Sequence, residues 1–339
     1  MLSKKSLPLR VLLLGLVLGL LLTPLAVGAA TPPTFVALGD STGYGLSAIP
    51  PPGSPPEFYT SGFNPPLFGF NDQFALANGF VAGTTYFNYA YPGDKTGDLL
   101  TDLADATVQA KVRGARILTV NMGGNHLLGP AIAAIFGLWG IDPEDPKYEG
   151  DLDGSLMLAD LAAAIALDPD PEATFMRLTD LTDPYALAFH KALLAGTADF
   201  VKQWPKACAM IRSLNRRGEL YVNTLYNPIR VSGKTDPLYP VYVEFEALVG
   251  TINATIRSYA LAYRYRVVDV YTAFRNWTEP VPVLTFHVPS AIQAARLGQV
   301  AEAILYADPH PTFVGHQVMF GLLTQVRAGT PSWYWWLFW

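Results

Sequence analysis

Four short segments of this sequence carry side chains of the types that ester hydrolysis requires. Ser41 ends a Gly-Asp-Ser sequence near the start of the chain, and His310 follows Asp308 by two residues near its end. Hydrolysis of an ester needs a nucleophile, a base that takes the proton of the nucleophile, and donors that hold the oxyanion. Ser41 is the candidate nucleophile, His310 the candidate base, and Asp308 the group that would orient the imidazole.

Three donors form the candidate oxyanion hole. They are the backbone N–H of Ser41, the backbone N–H of Gly93 and the side-chain amide of Asn125. A glycine lets the substrate carbonyl approach its N–H closely, and an amide is a neutral donor that does not titrate. Loss of one such donor typically costs ~100- to 1000-fold in turnover.

The elements that must position these residues alternate between strands and helices. Apolar and β-branched runs predict strands at 34–38, 84–90, 115–120, 220–225 and 266–270. Helical spacing predicts helices at 71–78, 99–112, 244–263 and 314–326. This alternation predicts an α/β fold, a three-layer α/β/α sandwich with a parallel sheet, and ligands bind at the carboxyl ends of such strands.

The four segments together resemble the SGNH, or GDSL, hydrolase family, which is named for its Ser, Gly, Asn and His. The resemblance extends from about residue 34 to residue 326 and implies a flavodoxin-like sheet, a Ser41 acyl-enzyme and no cofactor. The residues that carry it lie at 38–45, at Gly93, at 121–125 and at 307–316.

Three positions depart from the pattern of that family. Thr42 replaces a leucine, and His126 replaces an acidic residue. The family aspartate lies three residues before the histidine, where this chain has Ala307, whereas Asp308 lies two before. Two interpretations follow: a turn shorter by one residue, or a Ser-His dyad in which a backbone carbonyl orients His310.

Residues 39–43 also satisfy the G-x-S-x-G elbow of α/β-hydrolases. That elbow normally follows several strands, and only one strand is predicted before it here. The sequence therefore favours the SGNH fold over the α/β-hydrolase fold.

The chain has four predicted regions. Residues 1–30 have the charged start, apolar run and small residues of a secretory signal peptide, whose removal changes the formal charge from −5 to −8 by the loss of three basic residues. The hydrolase domain spans 31–330, with a helical cap or lid inserted at about 129–206, and an aromatic tail spans 331–339. We expect a secreted, cell-envelope or periplasmic protein, and the acidic charge does not favour a nucleic-acid partner.

Three features favour an acyl or lipid ester as the substrate. They are the aromatic, proline-rich loop at 47–70, the apolar cap and the tail, which either contacts a membrane surface or packs on the domain itself. Two alternatives stay open: an O-acetylesterase acting on a polysaccharide, and a surface binding protein on a decayed hydrolase scaffold. The tail residues that would contact a membrane are Trp333, Trp335, Trp336 and Trp339.

Other candidate sites are weaker. Glu149, Asp151, Asp153, Gly154 and Asp160 follow the spacing of a calcium loop, but its first and last acids are exchanged, and a solvated acidic turn is favoured. The sequence has no zinc motif. We therefore expect no metal. Separately, the sole cysteine, Cys208, is predicted to be buried, and His316 to pack inside the last helix.

Overall fold

Five parallel strands form the centre of the molecule, in the order β2-β1-β3-β4-β5. The computed structural model describes residues 32–50, 68–142, 145–148, 155–180, 182–231, 233–236 and 238–329. Every pairing in the sheet is parallel, and this confirms the predicted fold class. The strands are β1 (Thr34–Gly39), β2 (Tyr86–Ala90), β3 (Ala115–Asn121), β4 (Glu219–Asn223) and β5 (Arg266–Val268).

Helices connect the strands and cover both faces of the sheet. Two single turns of 3-10 helix, Pro146–Tyr148 and Arg177–Thr179, lie between the longer helices. The α-helices are α1 (Ser41–Tyr44), α2 (Phe70–Ala77), α3 (Thr96–Asp102), α4 (Ala106–Gly114), α5 (Gly124–Leu138), α6 (Ser155–Leu167), α7 (Pro171–Met176), α8 (Pro184–Leu214), α9 (Tyr239–Tyr259), α10 (Val270–Arg275), α11 (Val288–Arg296), α12 (Val300–Ala307) and α13 (Phe313–Ala328).

The alternation of side chains along β1 separates two apolar cores. Val36 and Leu38 point to one face of the sheet, where α3, α4, α5, α8 and α9 pack. Phe35 and Ala37 point to the other face, which α2, α10 and α13 cover. All four side chains are fully buried, as expected for a parallel strand that is covered on both faces.

One predicted helix is divided in two. The sequence pattern predicts a single helix over 99–112, but α3 ends at Asp102 and α4 begins at Ala106. The side chain of Asp105 caps α4 by accepting hydrogen bonds from the N–H groups of Thr107 at 2.7 Å and Val108 at 3.1 Å. An aspartate with two such bonds is a strong helix start, and it overrides the continuous apolar spacing.

The helices of the predicted cap, between residues 129 and 206, pack with helices from later in the chain. α6 packs against α11 and α12, which come from residues 288–307, far along the chain. α8 begins inside the predicted insertion and continues onto the sheet, where Trp204, Cys208 and Ile211 are buried in the core. One helix therefore extends from the predicted insertion into the central layers.

α8 crosses α5 at very close range. A Cβ atom on Gly196 would lie 1.9 Å from the carbonyl oxygen of His126, so only glycine fits at this crossing. The contact holds the cap end of α8 against the helix that begins beside the candidate site.

Several predicted segments lie outside the described residues. They include the signal peptide at 1–30, the aromatic tail at 331–339, most of the loop at 47–70 and the acidic turn at 149–154. Within the described part of the chain, no helix has the length and apolar character needed to cross a bilayer.

Candidate active site

Ser41 lies immediately after β1, at the carboxyl edge of the sheet. Gly39 has φ +138°, and a Cβ atom there would lie 2.0 Å from the carbonyl oxygen of Asn121 on β3. Only glycine allows this turn and this approach of two backbones. Asp40 then caps α1 by accepting a hydrogen bond from the N–H of Thr42 at 3.1 Å. Ser41 is thereby held as the first residue of α1, with 6% of its surface exposed.

His310 and Asp308 lie in the loop between α12 and α13. The Nε2 atom of His310 is 2.8 Å from Oγ of Ser41, 269 residues away in sequence. The Nδ1 atom of His310 is 2.6 Å from Oδ1 of Asp308, which also accepts the backbone N–H of His310 at 2.9 Å. The shorter turn therefore places a carboxylate, rather than a backbone carbonyl, against the imidazole.

Ser47 is a partner of this carboxylate that the sequence pattern does not reveal. Its Oγ donates a hydrogen bond to Oδ2 of Asp308. Burial opposes the charge of Asp308, but the hydrogen bonds from His310 and Ser47 and the nearby His310 ring hold its pKa below the ordinary value. Ser47 has φ +63°, which is uncommon for a residue other than glycine and frequent at functional sites.

Two of the three predicted oxyanion donors line a small recess, and Gly93 is not among its lining residues. Ser41 and Asn125 line this recess together with Leu225 and Tyr226. Nδ2 of Asn125 donates to the carbonyl oxygen of Asp94 at 3.0 Å. The bond joins Asn125 to the loop that carries Gly93, which has φ +90°. An amide nitrogen carries two hydrogens, so Asn125 can hold this loop and still donate into the recess.

His126 attaches the same loop by a second bond. Its Nε2 accepts the backbone N–H of Thr96 at 3.0 Å, and its Nδ1 lies 3.6 Å from Oδ2 of Asp199. Burial lowers the pKa of His126, of which only 1% is exposed, so the ring is neutral and Nε2 can accept. At this position the chain thus has an imidazole that anchors the start of α3.

A buried hydrogen-bond chain links the ends of three strands behind Ser41. Nδ2 of Asn121 donates to Oδ1 of Asp40 at 2.7 Å, and Nδ2 of Asn223 donates to Oδ1 of Asn121 at 3.0 Å. Burial raises the pKa of Asp40 to about 6, although the bonds from Asn121 and Thr42 and the nearby His310 oppose the shift. Sequence reasoning missed Asn121 and Asn223 in this role; the signal was an asparagine as the last residue of β3 and of β4.

The other candidates do not join this arrangement. His316 is fully buried in α13, as predicted, where burial lowers its pKa to about 4; its Nδ1 accepts from the N–H of Phe70. Cys208 is buried, and burial raises its thiol pKa to about 12. Of the calcium-loop residues, the described Asp160 accepts from Tyr148 and pairs with Lys147. Among the described residues, no group of three His, Cys, Asp or Glu could hold a metal ion.

A large apolar cavity of about 530 Å³ begins at His310. Its walls come from α5, α6, α8, α9, α11 and α12, and Leu128, Pro228 and Phe245 line both this cavity and the recess of Ser41. Ser47, Asp308 and His310 are the polar side chains among the described residues that line it. The catalytic candidates therefore stand at the polar end of an otherwise apolar space.

Comparison with known proteins gives matches among solved structures alone. No protein-family model matches the sequence, and no curated protein does. A lipase from a goat rumen metagenome is 16% identical with a TM-score of 0.48, covering 87% of this chain and 97% of that chain. The extracellular lipase of Streptomyces rimosus is 17% identical with a TM-score of 0.46, covering 87% of this chain and 99% of that chain. Phospholipase A1 of Streptomyces albidoflavus is 14% identical with a TM-score of 0.48, covering 86% of this chain and 98% of that chain. Similarity at this level assigns no activity, so the function must be argued from the site.

The buried Asp40 predicts how stability depends on pH. Its pKa is raised from 3.8 to about 6 on folding, so the folded state binds the extra proton between these values. Stability from this group is complete below pH 3.8 and is lost as the pH rises through about 6, by about 3 kcal/mol in all. Asp40→Asn removes this loss, because the amide oxygen can still cap α1. Urea unfolding from pH 4 to 8 should show the variant gaining on the wild type as the pH rises.

The exposed Glu279→Gln variant is the matched control for a lost carboxylate. It should follow the wild type at every pH. A constant difference between Asp40→Asn and the wild type across this range would contradict a titrating buried carboxylate.

Proposed function

We propose that this protein is a serine esterase of the SGNH, or GDSL, hydrolase family, with Ser41 as its nucleophile. The observation that carries the proposal is the chain of contacts from Oγ of Ser41 to Nε2 of His310 at 2.8 Å, and from Nδ1 of His310 to Asp308 at 2.6 Å. Nucleophile, base and orienting carboxylate are thus in hydrogen-bond reach of one another without any rearrangement. A decayed binding protein would have no need to keep all three aligned.

The geometry supports a two-step mechanism. His310 takes the proton of Ser41 as Oγ attacks the ester carbonyl, and then gives that proton to the leaving alcohol. In the second step His310 takes a proton from water, which attacks the acyl-enzyme and releases the acid. Asp308, whose pKa is held low, stays ionised and stabilises the imidazolium in both steps.

The oxyanion formed in each step would be held in the recess of Ser41. The backbone N–H groups of Ser41 and Gly93 and the free hydrogen of the Asn125 amide are the proposed donors. Two hydrogen bonds, Asn125 to Asp94 and Thr96 to His126, hold the loop of Gly93 in place relative to α5. Donors that are fixed before the reaction lose no free energy by reorganising during it.

The apolar cavity favours an acyl or lipid ester as the substrate. A volume of about 530 Å³ lies within the range of pockets that bind drug-sized ligands, and an acetyl group would leave most of it empty. Each methylene buried there contributes about 0.8 kcal/mol, which is about fourfold in kcat/KM. The polysaccharide O-acetylesterase is the alternative, and chain-length preference separates the two.

Loss of Ser41 tests the nucleophile. Ser41→Ala should abolish labelling by a fluorophosphonate probe and lower the hydrolysis of p-nitrophenyl butyrate by about 10⁴- to 10⁶-fold. Ser258→Ala, which removes an exposed hydroxyl from α9, should leave both unchanged. Retained labelling in folded Ser41→Ala protein would rule out this assignment.

Filling the cavity tests the acyl site. Ala162 on α6 is buried and lines the cavity, so Ala162→Phe should lower kcat/KM for dodecanoyl and longer esters by at least about 10-fold, as removal of two to three buried methylenes would. Hydrolysis of acetyl and butyryl esters should persist. The exposed neighbour gives the control Ala163→Phe, which should not alter the preference. If the wild type prefers acetyl esters and Ala162→Phe does not alter kcat/KM for any chain length, the protein is an O-acetylesterase rather than a lipid esterase.

We further propose that the protein is exported with cleavage after Ala29 or Ala30 and that its tryptophan tail contacts a membrane surface. The proposal rests on the sequence patterns alone. Intact mass of the exported protein should place its first residue at Ala30 or Thr31. Deletion of 331–339 should lower co-sedimentation with liposomes, and equal binding of the two forms would remove the membrane role of the tail.

A further inference from the structure

A second, polar cavity of about 270 Å³ lies beyond the carboxyl ends of β4 and β5. We propose that it is a binding site for a phosphate-like anionic group. It is lined by the loop after β4, which carries Asn227 and Arg230, and by Tyr242, Glu246 and Tyr271 from α9 and α10. This cavity is separate from the apolar one, although Ile229 lines both.

Two donors in this cavity have no partner among the residues that the structure describes. Nδ2 of Asn227 is buried and makes no hydrogen bond with any described group, while Oδ1 of the same amide accepts the N–H of Ile229 at 3.0 Å. Arg230 is half-buried, and none of the carboxylates in the described ranges pairs with it. Burial lowers the pKa of its guanidinium. A buried donor and a desolvated cation without an anion are costly unless a ligand satisfies them.

Both carboxylate oxygens of Glu246 are engaged by tyrosine hydroxyls. Oε1 of Glu246 accepts from the hydroxyl of Tyr242 at 3.0 Å, and Oε2 accepts from that of Tyr271 at 3.2 Å. The hydroxyl of Tyr271 in turn accepts from Arg275 at 3.0 Å, and the indole N–H of Trp277 donates to the carbonyl oxygen of Val281. The unpartnered groups among the described lining residues are the donors of Asn227 and Arg230, so the ligand that matches them is rich in acceptors and negatively charged.

The chemistry of arginine narrows the class of ligand. A guanidinium presents a planar fork of N–H groups that matches two oxygens of a phosphate, and the amide of Asn227 supplies a further donor from the same loop. A phosphate monoester or diester offers several oxygens to such a set. A neutral sugar would offer no negative charge to the guanidinium of Arg230, which pairs with no carboxylate in the described ranges.

The position of the cavity connects it with the proposed ester site. Tyr226 lines both this cavity and the recess of Ser41, and its hydroxyl donates to the carbonyl oxygen of Pro309, between Asp308 and His310. An ester with an apolar acyl chain and a phosphate-bearing alcohol would place the chain in one cavity and the anion in the other. This role as a substrate subsite rests on the proposed esterase function, whereas anion binding itself does not.

Direct binding tests the site without any turnover. Ser41→Ala protein is titrated by calorimetry with dihexanoyl phosphatidic acid and with dihexanoylglycerol, which differ in the phosphate alone. Arg230→Gln in this background should weaken phosphatidic acid binding by about 10- to 100-fold and leave diacylglycerol binding the same. Arg113→Gln, which removes a positive charge from the exposed end of α4, should change neither.

A second variant and a second probe make the test complete. Asn227→Asp keeps the acceptor for Ile229 but exchanges the orphan donor for a charged oxygen, so it should weaken phosphatidic acid binding in the same way. Inorganic phosphate is tested by its effect on the melting temperature of the wild type and of Arg230→Gln. Arg230-dependent binding of phosphatidic acid identifies a substrate headgroup as the source of the anion, and Arg230-dependent stabilisation by phosphate alone identifies the free ion.

Equal behaviour of Arg230→Gln and its parent with both probes would overturn the anion site. That outcome leaves the esterase proposal untouched, since probe labelling at Ser41 tests it separately. Conversely, Arg230-dependent binding in a protein that no fluorophosphonate labels would establish the anion site and remove its role as an ester subsite.

Discussion

The close approach of β1 and β3 at Gly39 governs the geometry of the whole site. Because Gly39 lies against the carbonyl oxygen of Asn121, the two strands end at the same level and their next side chains meet. Asn121 then reaches Asp40 on one side and receives a bond from Asn223 on the other. Three strand ends are thus joined by side chains, and Ser41 begins its helix from a support that has little freedom to move.

This arrangement requires the carboxylate of Asp40 to be buried, which lowers the stability of the folded state. Asp40 is almost completely buried, and its hydrogen bonds do not fully offset the loss of water, as its raised pKa shows. The same carboxylate caps α1 and lies near His310, so it contributes a negative potential beneath the imidazole. The buried carboxylate therefore lowers the stability of the folded state, but it fixes the position of Ser41 and adds a negative electrostatic potential near His310. Such a loss of stability is common at functional sites.

The sheet and the pairing of Ser41 with His310 were predictable from the sequence, because buried strands have a strong local pattern and the motif residues follow them. The spacing between Asp308 and His310 did not decide whether the two side chains contact each other, because this contact depends on where α12 ends. The helix break at Asp105 was missed because side-chain capping competed with apolar spacing. The part of the cap formed by α11 and α12 was missed for another reason: it packs on α6, from which it is separated by more than a hundred residues.

The two cavities divide the region beyond the sheet by polarity. The apolar one is lined mainly by helices of the cap, whereas the polar one is lined by the loop after β4 together with α9 and α10. Ile229 lines both cavities. The residue before it, Pro228, lines the apolar cavity, and the residue after it, Arg230, lines the polar one. An amphiphilic molecule can therefore satisfy both surfaces only in one orientation, with its ester between them.

The long helix α8 joins the core to the apolar cavity. Its second half is fixed in the core through Phe200 and Trp204, while its first half presents Phe189 to the apolar cavity. The opposite wall of that cavity comes from α6, α11 and α12, which share few contacts with the strands that hold Ser41. Substitutions on α6 and α11 can accordingly change the shape of the apolar cavity without altering the strands that hold Ser41, whereas α12 ends next to Asp308.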